Sequence, residues 1–181
     1  SQQVLEEAIE QCWYTAFNTV VEHYGLTEKM RQAGMAQFRQ LRISKAIKGY
    51  DDIDVIPQFP LRRYLVTSGF RVLQESKIDA LGIRGWFDHI LIDDVDEALQ
   101  DLTGAHGKLA FFERIVALEG CRPSELVVVG DNPLSELGAG HTLGATTVQT
   151  LRPGVAPWDL ADHQISSLAE LKDSVLSGGN L

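Results

Sequence analysis

The chain has 181 residues, of which 44% are hydrophobic, and this suits a globular protein with one core and a small appendage. Its formal net charge of −9 argues against a general affinity for nucleic acid or for anionic membrane surfaces. Cys12 and Cys121 form no CxxC pair, which favours a reducing, cytoplasmic setting. No apolar run approaches the roughly 18 residues of a membrane span, and nothing at the N-terminus has the pattern of a signal peptide. The sequence does not indicate an oligomeric state.

Two amphipathic helices are predicted before any strand. Apolar residues recur at helical spacing over residues 4–24, and Gly25 is placed to end this run. Thr27 is a candidate cap for a second helix that extends to about Lys48. The basic side chains of this second helix would suit an anionic substrate, although a solvated face is the commoner meaning of such a pattern. They are Lys29, Arg31, Arg39, Arg42, Lys45 and Lys48.

The next stretch, residues 50–60, contains three Asp and two Pro and is typical of a linker. We therefore divide the chain into a helical segment, residues 1–52, and a core, residues 53–181. In the core, short apolar runs alternate with helical patterns, which predicts a doubly wound, mainly parallel Rossmann-like sheet. The predicted strands are residues 64–66, 89–92, 126–129 and 146–149, with a short edge strand at 163–165. The predicted helices run from about 72 to 82, from 108 to 118, from 135 onward and from 168 to 176. In the second of these, Leu118 is predicted on the inner side. Residues 93–107 are expected to be a polar connection.

Polar residues follow two of these strands, at the sheet edge where open α/β folds bind ligands. Thr67, Ser68 and Gly69 end the first strand, and their hydroxyls and backbone N–H groups suit phosphate, although such a sequence is more often only a turn. Asp131 ends the third long strand and Glu136 opens the next helix. Two carboxylates in this position can bind a hard cation such as Mg2+, while an Asp alone commonly only caps its turn.

Lys108 opens a helix, where its charge opposes the helix dipole. A local conflict of this kind is typical of functional sites, although a surface lysine is the plainer interpretation.

Three segments now resemble, in order, the second, third and fourth motifs of the haloacid dehalogenase-like (HAD) superfamily. They are LVTSGF, GKLAFFERI and VVVGDNPLSELGAG. The resemblance extends over residues 64–181, and the helical start resembles the all-α cap that many members carry between their first and second motifs. TSGFRVLQESKI is most similar to the branch that contains phosphatases of nucleotides and other small phosphate esters.

The resemblance implies a Mg2+-dependent phosphatase that acts on a small phosphorylated substrate. In the family, a first-motif Asp attacks phosphorus and forms an aspartyl-phosphate, and a second Asp two residues later acts as general acid and base. The resemblance assigns catalytic roles to Thr67 and Lys108, phosphate binding to these two with Ser68 and Gly69, and the metal to Asp131 and Glu136.

Two features depart from the family pattern. Glu136 stands where the family more often has Asp, and the first motif is missing. Asp52-Ile-Asp54 has no strand before it, and Asp94-Val-Asp96 follows the second motif, so neither supplies the nucleophile. In the family the first-motif strand lies between the strands that end here at Thr67 and Asp131. We therefore expect the nucleophile to lie upstream of Ser1, and the chain alone to be inactive.

Two alternatives from other functional classes remain. One is a non-catalytic HAD-like protein that binds phosphate or a protein partner through the same pocket. The other is a receiver-like signalling domain, because ILIDD resembles the acidic first strand of a receiver.

Overall fold

The computed structural model describes residues 2–12, 17–98 and 107–171. The chain divides into two compact units, Ser1–Arg42 and Ile43–Leu181. The sequence-based boundary at residue 52 stays a prediction. None of the helices in the described ranges has the length and apolar character that a membrane crossing requires.

The first unit is helical. Its helices are α1 (Gln2–Gln11), α2 (Phe17–His23) and α3 (Glu28–Phe38). The prediction of one continuous helix over residues 4–24 is wrong, because α1 ends at Gln11 and Cys12 already lies in a turn; residues 13–16 are outside the described ranges. Thr27 caps α3 as predicted, since its Oγ1 accepts a hydrogen bond from the N–H of Met30 at 3.3 Å.

The helix α3 ends at Phe38, so the predicted extension to Lys48 is wrong. The reason lies in the second unit, where the backbone beyond residue 42 finds other partners. The N–H of Ile43 donates to Ser76 Oγ at 2.9 Å, and the N–H of Ile47 donates to the carbonyl of Ala80 at 3.1 Å. Both acceptors belong to helix α4 (Arg71–Leu81). These tertiary hydrogen bonds satisfy the backbone N–H groups of this segment without a helix. Most of the basic residues predicted to share one helix therefore lie beyond the end of α3.

Among its described residues, the second unit contains five strands, and all three pairings between them are parallel, which confirms the predicted fold class. The strands are β1 (Tyr64–Gly69), β2 (His89–Asp94), β3 (Val127–Gly130), β4 (Thr146–Thr150) and β5 (His163–Ile165). They form two sheets, one of order β1-β2 and one of order β3-β4-β5. Within the described residues, β1 and β3 are thus edge strands that pair with one neighbour each.

The remaining helices are α5 (Val95–Ala98), α6 (Lys108–Glu119) and α7 (Glu136–Leu143). The short α5 falls inside the expected polar connection, so that prediction is wrong for residues 95–98, and residues 99–106 lie outside the description. A helical turn begins at Leu168 as predicted, while residues 172–176 are again outside the described part. The predicted linker contains a 3-10 helix, Ile53–Gln58.

One helix covers both sheets. Phe112 and Ile115 of α6 are buried together with Val128 of β3, and Tyr64 and Val66 of β1 pack against the same cluster. Each sheet alone would leave this apolar surface exposed, so α6 supplies the packing that joins them. Leu118 does not share this role: it is 65% exposed, and its predicted inward position is wrong.

The helix α7 lies close to the second sheet, as its small residues predicted. A Cβ placed on Gly140 would lie 3.0 Å from Val128 Cγ2, which is tighter than ordinary packing. This close approach fixes the start of α7 beside the end of β3, where Asp131 and Glu136 are found.

Candidate functional site

The strand β1 continues through Thr67, Ser68 and Gly69, beyond the predicted strand at residues 64–66, and Gln74 of α4 holds its end. The hydroxyl of Thr67 donates to Gln74 Oε1 at 3.2 Å, and Gln74 Nε2 donates to the carbonyl of Ser68 at 3.1 Å. Gly69 has φ +142°, and a Cβ there would collide with the amide of Gln74. Gln74 thus ties the end of β1 to α4, and sequence reasoning missed this residue, because nothing in a helical Gln signals the contact.

The ammonium group of Lys108 lies beside the carboxyl-terminal half of β1. Its Nζ donates to the carbonyl oxygen of Val66 at 2.6 Å, which places the charge at the carboxyl-terminal half of β1. Burial lowers the pKa of Lys108, and the carboxylates of Glu136 and Asp93 partly offset this. Lys108 thus brings a partly desolvated positive charge to the strand end that carries Thr67 and Ser68.

The loop after β3 presents Asp131 to solvent and is held by Glu136. Glu136 Oε1 accepts the backbone N–H groups of Asp131 and Asn132, at 3.0 and 2.9 Å. One oxygen of Glu136 therefore already has two donors, and the residue's evident role is to fix the loop that carries Asp131.

A fully buried Gln supports the same region from β4. Gln149 is 0% exposed; its Nε2 donates to the carbonyl of Ala156 at 3.0 Å, and its Oε1 accepts the N–H of Trp158 at 2.7 Å. Next to it, Thr150 Oγ1 donates to the carbonyl of Gly130 at 3.1 Å. Sequence reasoning did not single out Gln149, although a polar amide inside a buried strand is a signal of such a network.

A cavity of about 400 Å³ opens beside Lys108. Ser68 and Asp93 line it from the ends of β1 and β2, and Ser135 and Thr142 line it from the start of α7 and from α7 itself. Ser68 and Asp93 face each other in the strand register, and Ser68 Oγ donates to Asp93 Oδ2 at 3.0 Å. The sequence showed that both residues end strands, but it did not show that these strands are neighbours.

Of the predicted site residues, Ser68 and Lys108 line the cavity, whereas Thr67, Gly69, Asp131 and Glu136 are not among its lining residues. Glu136, which holds the loop of Asp131, is near enough to Lys108 for its carboxylate to act on the lysine's pKa. Among the described residues, no three His, Cys, Asp or Glu side chains are grouped closely enough to hold a metal ion.

Comparison with known proteins identifies the chain's family. The sequence model of the haloacid dehalogenase-like hydrolases matches residues 8–144, which include the three motifs and most of the helical unit. The chain belongs to this family. This match gives no support to the receiver-like alternative. No curated protein matches the chain.

Solved structures of HAD proteins share the fold at low sequence identity. A HAD phosphatase from Thermococcus onnurineus has a TM-score of 0.61 and 22% identity, over 99% of this chain and 80% of that one. The HAD hydrolase YfnB from Bacillus subtilis, described as bound to magnesium, has a TM-score of 0.57 and 19% identity, over 96% and 78%. A 2-haloacid dehalogenase from Pseudomonas syringae pv. Tomato DC3000 has a TM-score of 0.55 and 20% identity, over 88% and 67%.

These HAD structures include both phosphatases and dehalogenases, so the likeness gives the fold and not the substrate. The site itself must carry the argument about chemistry. In this HAD-like chain the site combines the hydroxyl groups of Thr67 and Ser68 with the partly buried ammonium group of Lys108. The loop after β3 adds the exposed carboxylate of Asp131.

Proposed function

We propose that this HAD-like hydrolase is a Mg2+-dependent phosphatase of small phosphate esters, whose attacking Asp lies outside the 181 residues. The observation that carries the proposal is the position of Lys108, whose Nζ is 2.6 Å from the Val66 carbonyl and therefore next to the end of β1 that carries Thr67 and Ser68. A positive charge beside two hydroxyl groups at a strand end suits a phosphoryl group, which carries its charge on several oxygens.

The residues at the end of β1 bind and orient the phosphoryl group in this proposal. In the structure the Thr67 hydroxyl donates to Gln74 and the Ser68 hydroxyl donates to Asp93, so each would turn its O–H toward a phosphoryl oxygen when the substrate binds. Lys108 supplies charge, and its position in a partly buried environment strengthens that interaction relative to water.

Asp131 is the residue that would hold the metal ion. Its carboxylate is exposed, and the backbone that carries it is fixed by Glu136. Such a site fits Mg2+, which commonly uses one or two protein carboxylates and takes its other ligands from water and substrate phosphate. When bound, Mg2+ would neutralise charge on the phosphoryl oxygens. We assign Glu136 to positioning the loop.

The place of the attacking carboxylate is suggested by the two sheets. In the described residues, β1 and β3 each have one strand partner, yet both are covered by the same face of α6. A strand inserted between them would pair with both and would end beside Lys108 and Asp131. The Val66 carbonyl accepts a hydrogen bond from the Lys108 side chain. A strand inserted beside β1 would offer backbone N–H groups to carbonyls of this kind.

The proposal is tested with a chain that is extended upstream by a strand ending in Asp-x-Asp. We expect it to hydrolyse p-nitrophenyl phosphate in the presence of Mg2+. Lys108→Met and Asp131→Asn should each lower kcat by about 100-fold or more, the usual loss when one group that stabilises transition-state charge is removed. Arg122→Met, which removes an exposed cation whose ion-pair partner is Glu125, is the control. Hydrolysis that survives both substitutions would overturn the proposal.

A further inference from the structure

We propose that Thr150 and Gln149, at the end of β4, are positioning residues for the metal-binding carboxylate of Asp131. They hold the backbone that carries this residue. This inference rests on the metal-binding role of Asp131 in the proposed function, and it assigns a role in that site to two buried side chains of the neighbouring strand.

The side chains of β4 hold the two carbonyl groups that flank the Cα atom of Asp131. The Thr150 hydroxyl donates to the carbonyl of Gly130 at 3.1 Å, and Gln149 Nε2 donates to the carbonyl of Asp131 at 3.4 Å. The second contact is longer than the usual N–H···O hydrogen bond, so Thr150 makes the larger contribution. These contacts join β4 to the loop after β3 at the point where Asp131 leaves the sheet.

Glu136 of α7 holds the N–H groups of the same two peptide units. Its Oε1 accepts the N–H of Asp131 at 3.0 Å and the N–H of Asn132 at 2.9 Å. A Cβ placed on Gly130 would collide with the Glu136 side chain, so the strand end and the helix start are closely packed. Each peptide unit beside the Asp131 Cα is therefore bound at its carbonyl by β4 and at its N–H by α7. A rotation of either unit would break hydrogen bonds with both elements.

The two β4 side chains are firmly packed. Thr150 and Gln149 are buried, and their strand lies between β3 and β5. The Gln149 amide has further partners in the carbonyl of Ala156 and the N–H of Trp158. Satisfied buried networks of this kind make their surroundings more rigid. Asp131 itself is exposed, so its carboxylate is presented to solvent from a backbone that is held from both sides.

The ion makes this positioning matter. Mg2+ requires near-ideal octahedral geometry and gives up its water reluctantly, so a site with few protein carboxylates depends on the orientation of each one. Groups that hold a metal ligand in place typically change metal affinity or activity by 10–100-fold, although they do not touch the ion. The loss of the Thr150 hydroxyl should therefore weaken metal binding while every ligand remains in the chain.

The test compares three variants in the chain extended upstream by a strand ending in Asp-x-Asp. Thr150→Val removes the hydroxyl donor with little change of shape, and Thr150→Ser keeps the donor. Thr147→Val is the matched control, because it removes a buried hydroxyl of the same strand whose partner is Asp162. We would measure the Kd of Mn2+, which shares the octahedral oxygen coordination of Mg2+, by electron paramagnetic resonance.

We expect Thr150→Val to raise the Kd of Mn2+ about tenfold, and Thr150→Ser to stay within about twofold of the wild type. Thr147→Val should leave this Kd unchanged, although it destabilises the fold. Hydrolysis gives a second readout: in Thr150→Val the Mg2+ concentration for half-maximal rate should rise about tenfold. A merely structural role would lower kcat or Tm and would not change the Mg2+ requirement. If Thr150→Val does not fold by circular dichroism, Thr150→Ala takes its place.

Asp131→Asn separates this inference from the proposed function. If Asp131→Asn weakens Mn2+ binding and Thr150→Val does not, the positioning role is overturned and the role of Asp131 stands. The same conclusion follows if Thr147→Val weakens Mn2+ binding as much as Thr150→Val does. If Asp131→Asn leaves Mn2+ binding unchanged, Asp131 is not a metal ligand, and both proposals fail.

Discussion

The strands β4 and β1 show how strongly burial depends on position in a sheet. β4, with the sequence TTVQT, lies between β3 and β5, and four of its five residues are buried. β1, with the more apolar start YLV, has one strand partner among the described residues, and none of its residues is buried. The apolar strand is thus the less buried of the two, which indicates that β1 has the composition of an interior strand in an edge position.

The polar residues of β4 tolerate burial because each has a specific partner. Thr147 is 0% exposed, and both its N–H and its hydroxyl donate to Asp162 Oδ2 at 2.7 Å. These hydrogen bonds lower the pKa of Asp162. Gln149 is satisfied in the same way by the loop at residues 156–158. A buried polar strand is stable here because its network is complete.

The largest expected effect comes from breaking that network without changing its volume. Gln149→Leu should lower the free energy of unfolding by about 3 kcal/mol, because the N–H of Trp158 and the carbonyl of Ala156 lose their buried partner. Chemical denaturation would measure this loss. Gln164→Leu is the control, since Gln164 is exposed on β5, and the loss of its water-accessible hydrogen bond to the Trp158 carbonyl should cost about 0.5 kcal/mol or less. Equal losses in the two variants would show that the network around Gln149 contributes nothing.

A matched pair of valines tests the comparison itself. Val148 of β4 is 1% exposed, whereas Val66 of β1 is only half-buried. Val148→Ala should cost about 2–3 kcal/mol and Val66→Ala about 1 kcal/mol, since the cost follows the apolar surface and cavity that each change creates. In a chain extended by the proposed strand, the cost at Val66 should rise toward that at Val148. No rise would argue against a strand beside β1.

How much of the fold could be predicted from the sequence depends on how far apart along the chain the interacting residues lie. Apolar runs located β1, β2 and β3, and local capping located the start of α3 at Thr27. Contacts between distant segments could not be predicted. Asp52 lies in the predicted linker, yet each of its carboxylate oxygens accepts a hydrogen bond from the Arg152 side chain at 2.9 Å. The N–H of Leu168 also donates to this carboxylate.

The candidate site was predictable to a similar degree. Thr67, Lys108 and Asp131 could be proposed from the sequence because each lies next to a recognisable strand or helix end, and their roles stay predictions. Their supports were not found, because Gln74, Asp93 and Gln149 act through neighbours that only the fold brings near. The extension of α3 was predicted wrongly for the same reason, since hydrogen bonds to α4 decide the conformation of that segment.

The smallest expected effect concerns the start of β1. The Tyr64 hydroxyl donates a short hydrogen bond to Glu119 of α6, and burial, followed by this bond, raises the pKa of Tyr64 to about 12. The folded state therefore favours the protonated phenol. This contribution to stability is complete below the unfolded pKa of about 10 and is lost as the pH rises toward 12.

Tyr64→Phe should accordingly lose less stability than the wild type between pH 10 and 12, as measured by denaturation at several pH values. Tyr50→Phe, which changes an exposed phenol, is the control and should follow the wild type. A Tyr64→Phe curve that falls in parallel with the wild type would show that this hydrogen bond does not hold the edge strand to α6.

The account's central claim is that β1 and β3 flank the place of a strand that carries the attacking carboxylate. The most direct test compares Mg2+-dependent hydrolysis of p-nitrophenyl phosphate by the 181-residue chain and by the chain with an upstream strand ending in Asp-x-Asp. We expect no measurable turnover by the shorter chain, because loss of a nucleophile costs about 10⁶-fold in rate, and clear turnover by the longer one. Turnover by the 181-residue chain that survives Asp131→Asn would contradict the claim. A longer chain that folds, binds phosphate and does not turn over would instead indicate a HAD-like protein that only binds its ligand.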